Sequence, residues 1–239
     1  MSPHKLLAIT NDIGGFSPAL ATWYGDPYGA GSGGACGWSN DVQSPPFSAM
    51  IAAGNANIYC KGKGVEIILC TRPPYCSMNP VTVTITDECP GACNNVPFAF
   101  DLSGTAFGAM SSPGQADNLR NLGRVDVQYR RVPCNYGITK IAFKTDPMAN
   151  PYWFALTVQF CDGNGGLSSV EVAANGSQQF RLMKNIWGAV WAVDVDPSFR
   201  GPYSFRLIAL NNEQVIAINA LPFGFVPGKS YYSLVNFRS

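Results

Sequence analysis

From Ala21 onward, short runs of alternating apolar and polar residues are punctuated by Gly, Pro, Asn and Asp at close intervals, and no long run keeps a helical period. That pattern confines the chain to strands and tight turns, an all-β architecture. The clearest strand is Pro80-Val81-Thr82-Val83-Thr84-Ile85-Thr86-Asp87, with Val81, Val83 and Ile85 on one face, the threonines on the other and Asp87 at its end. Val125, Val127 and Tyr129 alternate with Asp126, Gln128 and Arg130 as a half-exposed strand. Helix is predicted only over Ser103–Met110 and Gly114–Leu122, the second stopping at Gly123 as a C-cap. At Thr145-Asp146-Pro147-Met148-Ala149-Asn150-Pro151 turn chemistry replaces periodicity. Strands resume over 153–160, 168–173, 187–195, 203–210, 214–220 and 232–237, with Asn211-Asn212 as a hairpin turn, and read as a small sandwich. The expected organisation is a tail outside the fold (1–20), a first domain (21–140), a linker (141–151) and a second domain (152–239).

Composition narrows the function classes. Sixteen Lys and Arg against 15 Asp and Glu leave a net charge of +1, with no basic footprint for nucleic acid or an anionic bilayer. No apolar run approaches the roughly 20 residues of a membrane helix. The single histidine, His4, lies in the tail, so Ser-His-Asp, Cys-His and His-rich metal chemistry lose their central residue and any reaction must rest on carboxylates. Neither a metal nor a cofactor is expected. Seven of the eight cysteines, Cys36, Cys60, Cys70, Cys76, Cys89, Cys93 and Cys134, precede Cys161. Cys70-x5-Cys76 and Cys89-x3-Cys93 can close small loops as disulfides or offer four thiolates to zinc. The sequon Asn175-Gly176-Ser177, a glycosylation candidate at Asn175, favours a secreted, disulfide-bonded chain. Yet the first 20 residues hold only Lys5-Leu6-Leu7-Ala8-Ile9 before Asn11 and Asp12, shorter than a secretory apolar core of about 7 to 15 residues.

Three groups of residues carry candidate chemistry. In Ala21-Thr22-Trp23-Tyr24-Gly25-Asp26-Pro27, Thr22 and Tyr24 share a strand face and would project a hydroxyl and a phenol into one groove; the same residues also make an ordinary edge strand. In Phe98-Ala99-Phe100-Asp101-Leu102-Ser103-Gly104, Asp101 sits between apolar neighbours that would raise its proton affinity. It competes with Ser103 for the role of helix cap. With Asp87 it makes a carboxylate pair, and inverting glycoside hydrolysis asks for an acid and a base about 6.5 to 9.5 Å apart. Tyr152, Trp153, Trp187 and Trp191 supply aromatic faces of the kind that stack on sugar rings, core packing being the alternative for each tryptophan. On one strand Trp187 and Trp191 face the same way, so exposing one and burying the other requires a twist or bulge.

The succession of ATWYGDP, GAGSGGACGW, VTVTITDECPG, AFDLSGTAFGAM, GRVDVQYRRVPC, IWGAVWAVD and GPYSFRL, running from about Ala21 to Phe237, resembles a plant expansin. It is closer to the β-expansin branch, which includes grass-pollen group 1 allergens, than to the α branch. The resemblance implies a double-psi β-barrel similar to family 45 endoglucanases, followed by an immunoglobulin-like β-sandwich that acts as a carbohydrate-binding domain. It places groove residues at Thr22, Tyr24, Asp87 and Asp101, an aromatic platform at Tyr152, Trp153 and Trp187, and Trp191 in the core. It implies a secreted wall protein, monomeric, that loosens walls without hydrolysis by disrupting noncovalent adhesion between cellulose and matrix glycans such as xylan and mixed-linkage glucan.

The chain departs from the family pattern in three places. The family's His-Phe-Asp reads Ala99-Phe100-Asp101, so an imidazole is lost from the groove. A cysteine pair is missing after Gly62-Lys63-Gly64, which runs straight into Val65-Glu66-Ile67-Ile68-Leu69-Cys70. The absent cysteines are the family's partners for Cys36 and Cys134, which leaves those two free unless Cys60 substitutes; Cys70–Cys76 survives and Cys89–Cys93 is an added candidate. Loss of two such bridges costs about 2 to 5 kcal/mol each, making the barrel marginal, so a cellulose-binding remnant with a defective barrel is one alternative. The other is an inverting β-glucan hydrolase with Asp101 as acid and Asp26 as base, Asp26 standing in a Tyr-x-Asp sequence similar to that of family 45 hydrolases.

Overall fold

The computed structural model describes residues 15–31, 34–59 and 64–238; His4, Cys60 and the Gly62-Lys63 dipeptide lie outside the described residues. Six strands, β1 (Ser17–Tyr24), β2 (Ile51–Gly54), β3 (Val65–Cys70), β4 (Val81–Glu88), β5 (Ala99–Ser103) and β6 (Arg124–Val132), close a barrel in the order β1-β5-β2-β4-β3-β6. β1 runs parallel to β5 and β2 parallel to β4, the other neighbours being antiparallel, which is the double-psi pattern. Its interior is filled by Ala21, Ile68, Ile85, Phe100, Leu102 and Val125, all buried. β1 begins at Ser17 rather than Ala21: Ser17 to Leu20 pair with Tyr129 to Asp126, so four residues expected in the tail belong to the barrel. Thr84 and Thr86 are buried with Val83 and Ile85, against the expected polar face, because the loop at Met50 and the second domain cover that side of β4.

Three short helices decorate the barrel: α1 (Ala56–Tyr59), α2 (Gly104–Ala109) and α3 (Ala116–Asn121). Gly123, at φ +68°, ends α3 as expected. Ser103 settles the capping question: its Oγ accepts from the Ala106 N–H at 3.0 Å and donates to the Ala49 carbonyl at 2.5 Å, leaving Asp101 free of that duty. Disulfides join Cys70 to Cys76 and Cys89 to Cys93, which removes the zinc alternative, while Cys36, Cys134 and Cys161 are buried thiols. Among the described residues, the barrel is closed with no disulfide from Cys36 or Cys134.

The second domain is a sandwich of β7 (Ala142–Thr145), β8 (Trp153–Gln159), β9 (Leu167–Ala174), β10 (Arg181–Leu182), β11 (Lys184–Trp187), β12 (Val190–Asp194), β13 (Tyr203–Ala209), β14 (Gln214–Leu221) and β15 (Ser230–Tyr232). The sheets run β10-β9-β13-β14 and β11-β12-β8-β7-β15, and Phe143 stacks on Phe205 between them at 4.3 Å. β7 lies inside the expected linker and pairs with β8, and the closing strand stops at Tyr232 rather than continuing to Phe237. The strand expected over 187–195 is a hairpin instead. Gly188 supplies the positive φ (+47°) that a two-residue turn needs, and Trp187 pairs with Val190.

Ser103→Ala should destabilise the protein by about 0.5 to 2 kcal/mol, because it strips the α2 cap and removes one of the two hydrogen bonds that the Ala49 carbonyl accepts, the Ile51 N–H supplying the other at 3.0 Å. Urea unfolding followed by tryptophan fluorescence measures this; an unchanged midpoint would show that the cap contributes nothing.

Candidate functional site

A β-bulge decides which way one carboxylate points. On β4, Asp87 has the same parity as Ile85, which faces the barrel interior, and a regular strand would send it inward too. Between Ala52 and Ala53 the β2–β4 register shifts: Ala52 faces Ile85 but Ala53 faces Asp87, and the extra residue turns Asp87 outward. Ala53 also faces Asp101 on its other side. The two carboxylates thus flank one residue on one outer face, their strands about 10 Å apart across β2. Parallel pairing with β1 sets Thr22 opposite Asp101 and Tyr24 opposite Ser103 on that face.

Thr22 Oγ1 donates to Asp101 Oδ1 at 2.6 Å. Burial pushes the Asp101 carboxyl above its ordinary range; the Thr22 hydrogen bond opposes that and the Asp87 charge reinforces it. Burial also pushes the Tyr24 phenol up to about 12, helped by Asp87 and then Asp101. Tyr24 is therefore a neutral hydrogen-bonding group at any physiological pH, its ring held by the loop backbone: a Cβ on Gly31 would lie 2.3 Å from its Cε2. The four groove residues expected from sequence are brought together. Asp26 is not among them. It is exposed, its Oδ1 accepts from the Tyr28 N–H at 2.8 Å and its carbonyl from the Gly29 N–H at 3.0 Å, so its carboxylate builds a turn.

In the sandwich, Phe154, Leu156, Trp191 and Val193 face the core, whereas Trp153, Ala155, Val190 and Ala192 share the outer face of the five-stranded sheet. Trp187, next to Val190 across the β11–β12 hairpin, is 50% exposed; Tyr152, just before β8, is 65% exposed; Trp191 is 7% exposed. The hairpin explains how Trp187 and Trp191 differ in burial. Asn175 is exposed in the turn after β9.

Three residues connect the polar wall to the aromatic one. Asp87 Oδ1 accepts from the Ala35 N–H at 2.7 Å, and the Cys36 carbonyl accepts from the Ala189 N–H at 3.1 Å. A Cβ on Gly37 would stand 2.5 Å from Val190 Cγ2 and 3.0 Å from Trp187 Cη2, so the loop backbone lies directly against the platform. Asp101, Thr22, Tyr24 and Asp87 are thus linked through Ala35-Cys36-Gly37 to Trp187 and, on the same sheet face, Trp153, a chain of contacts that crosses both domains. Sequence reading missed the lock beside it: Asp41 accepts from Lys144 Nζ at 2.8 Å and from Gln159 Nε2 at 2.9 Å. Nothing local marks Asp41, whose partners lie in the other domain. The glycine-rich run around Gly34–Gly37 was a visible signal without a visible target.

Two outcomes follow from this geometry. A carboxyl whose native proton affinity exceeds its unfolded one binds the proton more tightly in the native state, so stability falls as pH rises through the window between the two values. Asp101→Asn should therefore raise the urea midpoint near neutral pH, and the gain should vanish below the ordinary value of 3.8; equal gains at both pH values would contradict the burial argument. Gly188→Ala should pry the domains apart, since its Cβ would stand 2.2 Å from the Ala35 carbonyl oxygen and 2.6 Å from Cys36 Cα. Gly176→Ala, also at positive φ but with nothing within 4 Å, controls for backbone strain. Small-angle scattering should show a larger radius of gyration for the first variant only.

Residues 141–222 match the family described as "Expansin C-terminal domain", and residues 19–129 match a double-psi β-barrel family described as "Lytic transglycolase". Over 234 residues the chain is 44% identical to Expansin-B4 of Arabidopsis thaliana, covering 95% of this chain and 90% of the relative. It is 44% identical over 230 residues to Expansin-B11 of Oryza sativa subsp. japonica, covering 93% and 78%. Among solved structures, the apo expansin of Clavibacter michiganensis superposes with a TM-score of 0.69 at 21% identity, covering 94% of this chain and 98% of that one. A point mutant of the same bacterial protein, in complex with cellohexaose, matches equally. At that identity the likeness is one of fold.

Proposed function

The chain belongs to the expansin B family, and from that premise we propose that it loosens plant cell walls without hydrolysis, by separating cellulose from matrix glycans. The observation that supports the reading is the chain of contacts from Thr22, Tyr24, Asp87 and Asp101 on the barrel through residues 35–37 to Trp187 on the sandwich; in our reading the polar group faces one stretch of a polymer in a trough while Trp187, Trp153 and Tyr152 meet the next. A β-glucan is neutral, flat and rich in hydroxyls. It suits indole faces on one wall and groups that exchange hydrogen bonds on the other. A net sugar-to-sugar hydrogen bond is worth only about 1 kcal/mol in water, so a segment held across both walls can give up several at once against the binding energy of the trough.

Two features favour adhesion over turnover. Asp26, the base that the hydrolase alternative calls on, is committed to its turn, and Ala99 presents a methyl group where the family carries an imidazole. The bacterial relative bound to cellohexaose supports cellulose as one partner, with xylan or mixed-linkage glucan as the matrix glycan in our reading. The cell wall is the proposed location, with a monomeric protein and Asn175 as its exposed glycosylation acceptor.

The reading is tested on heat-inactivated wall strips under constant load: the protein should increase creep while releasing no reducing sugar from amorphous cellulose. Sugar release that disappears in Asp101→Asn would instead establish the hydrolase. Binding without creep would reduce the function to cellulose attachment. The Trp153→Ala/Trp187→Ala double variant should lose cellulose retention by at least about tenfold, and unchanged retention would remove the platform.

A further inference from the structure

At one end of the sandwich three loops meet: 146–152 between β7 and β8, 195–202 between β12 and β13, and 222–229 between β14 and β15. They enclose a cavity of about 320 Å³ that the trough does not use. Its walls are rings: Phe154, Phe199, Tyr203 and Phe225, with centroids 5.1 to 6.2 Å apart, and the prolines Pro151 and Pro227 at the mouth. Tyr203 spends its hydroxyl proton on the Phe199 carbonyl at 2.9 Å, so the wall presents faces and edges rather than donors. Such a lining suits a flat ring far better than a sugar, whose hydroxyls would go unpaired.

Arg200 is the one charged residue among those lining the cavity. Its Nε donates to the Pro197 carbonyl at 2.6 Å, and its two terminal nitrogens have no acceptor among the described residues. The neighbouring carboxylate, Asp196, is committed to Arg181 at 3.3 Å and to the Ser198 N–H at 3.0 Å. An unneutralised guanidinium beside an aromatic slot matches a carboxylate on an aromatic ring. A volume at the lower end of small-molecule sites limits the ligand to one ring with a short side chain. We propose that this cavity binds a free single-ring aromatic carboxylate, its ring in the slot and its carboxylate on Arg200.

The test is a titration of the full chain with cinnamate and with methyl cinnamate, followed by NMR chemical shifts, where millimolar affinity suffices. Saturable shifts are expected, with Arg200→Ala weakening cinnamate by at least about fivefold. Ala149→Phe, which fills the cavity from its rim, should abolish binding of both probes while cellulose retention stays at the wild-type level; Arg200→Ala stands alone as the test should that variant not fold. Cinnamate should bind more tightly than methyl cinnamate, and equal or tighter binding of the ester would remove the carboxylate contact and overturn the proposal. Absence of saturable binding, or binding indifferent to Arg200→Ala and Ala149→Phe, overturns the proposal. Cellulose retention is read separately, so either conclusion can fail without the other.

Discussion

Four rings hold the two domains at one angle, and the alignment of the polar residues with the aromatic ones depends on them. Trp38 and Phe47 from the barrel and Tyr136 from the connecting segment pack around Phe160, which follows β8, with centroids 4.6 to 6.3 Å apart. Phe160 is counted with the barrel core rather than the sandwich core. It reaches that place at φ +61°, a left-handed conformation that a bulky side chain adopts only when surrounding packing outweighs a cost of about 1 to 3 kcal/mol. The Asp41–Lys144 pair beside it is a third exposed on one side and contributes at most about 1 kcal/mol. Buried rings contribute several times that, at about 25 cal/mol per Å² over 150 to 250 Å² each, an upper bound. Aromatic packing therefore sets the domain angle, and the ion pair refines it. Without it, domains joined by a short segment would move independently by default.

That fixed angle gives the polar wall its meaning. A bulge in β4, a parallel pairing of β1 with β5, and a glycine loop each place one component to within the width of a strand, and each would be of little use if the platform swung away. Within that wall, burial pushes the Tyr24 phenol up to about 12 and holds the Asp101 carboxyl above its ordinary range, so both bind their protons more tightly than in water.

The legible parts of this fold are those whose signal is local. β6 is readable because alternation coincides with a buried face over its first four residues, β4 because its alternation of β-branched residues marks a strand even though both faces are covered, and α3 because Gly123 marks its end. Asp101 and Asp87 are recognisable as a pair from type and context, but their common direction is not, since it depends on a register shift against β2, more than 30 residues earlier in the chain. The same limit applies to β7: four residues, Ala142 to Thr145, hardly show a period, and only pairing with β8 makes them a strand. Trp187 and Trp191 have one parity in the sequence, as on a continuous strand, whereas the positive φ at Gly188 reverses the chain between them. Asp41 is invisible for a simpler reason, as its partners are 103 and 118 positions away.

Both disulfides clip short loops of the barrel, spanning 6 and 4 positions, and among the described residues none crosses from one domain to the other. The junction is carried by the chain segment between β6 and β7, by the ring cluster, by the Asp41–Lys144 pair and by hydrogen bonds such as Ala189 N–H to the Cys36 carbonyl. A pull across it loads one covalent leash and a set of contacts that can slip and reseat, so the domains can yield in shear yet cannot part by more than that leash allows.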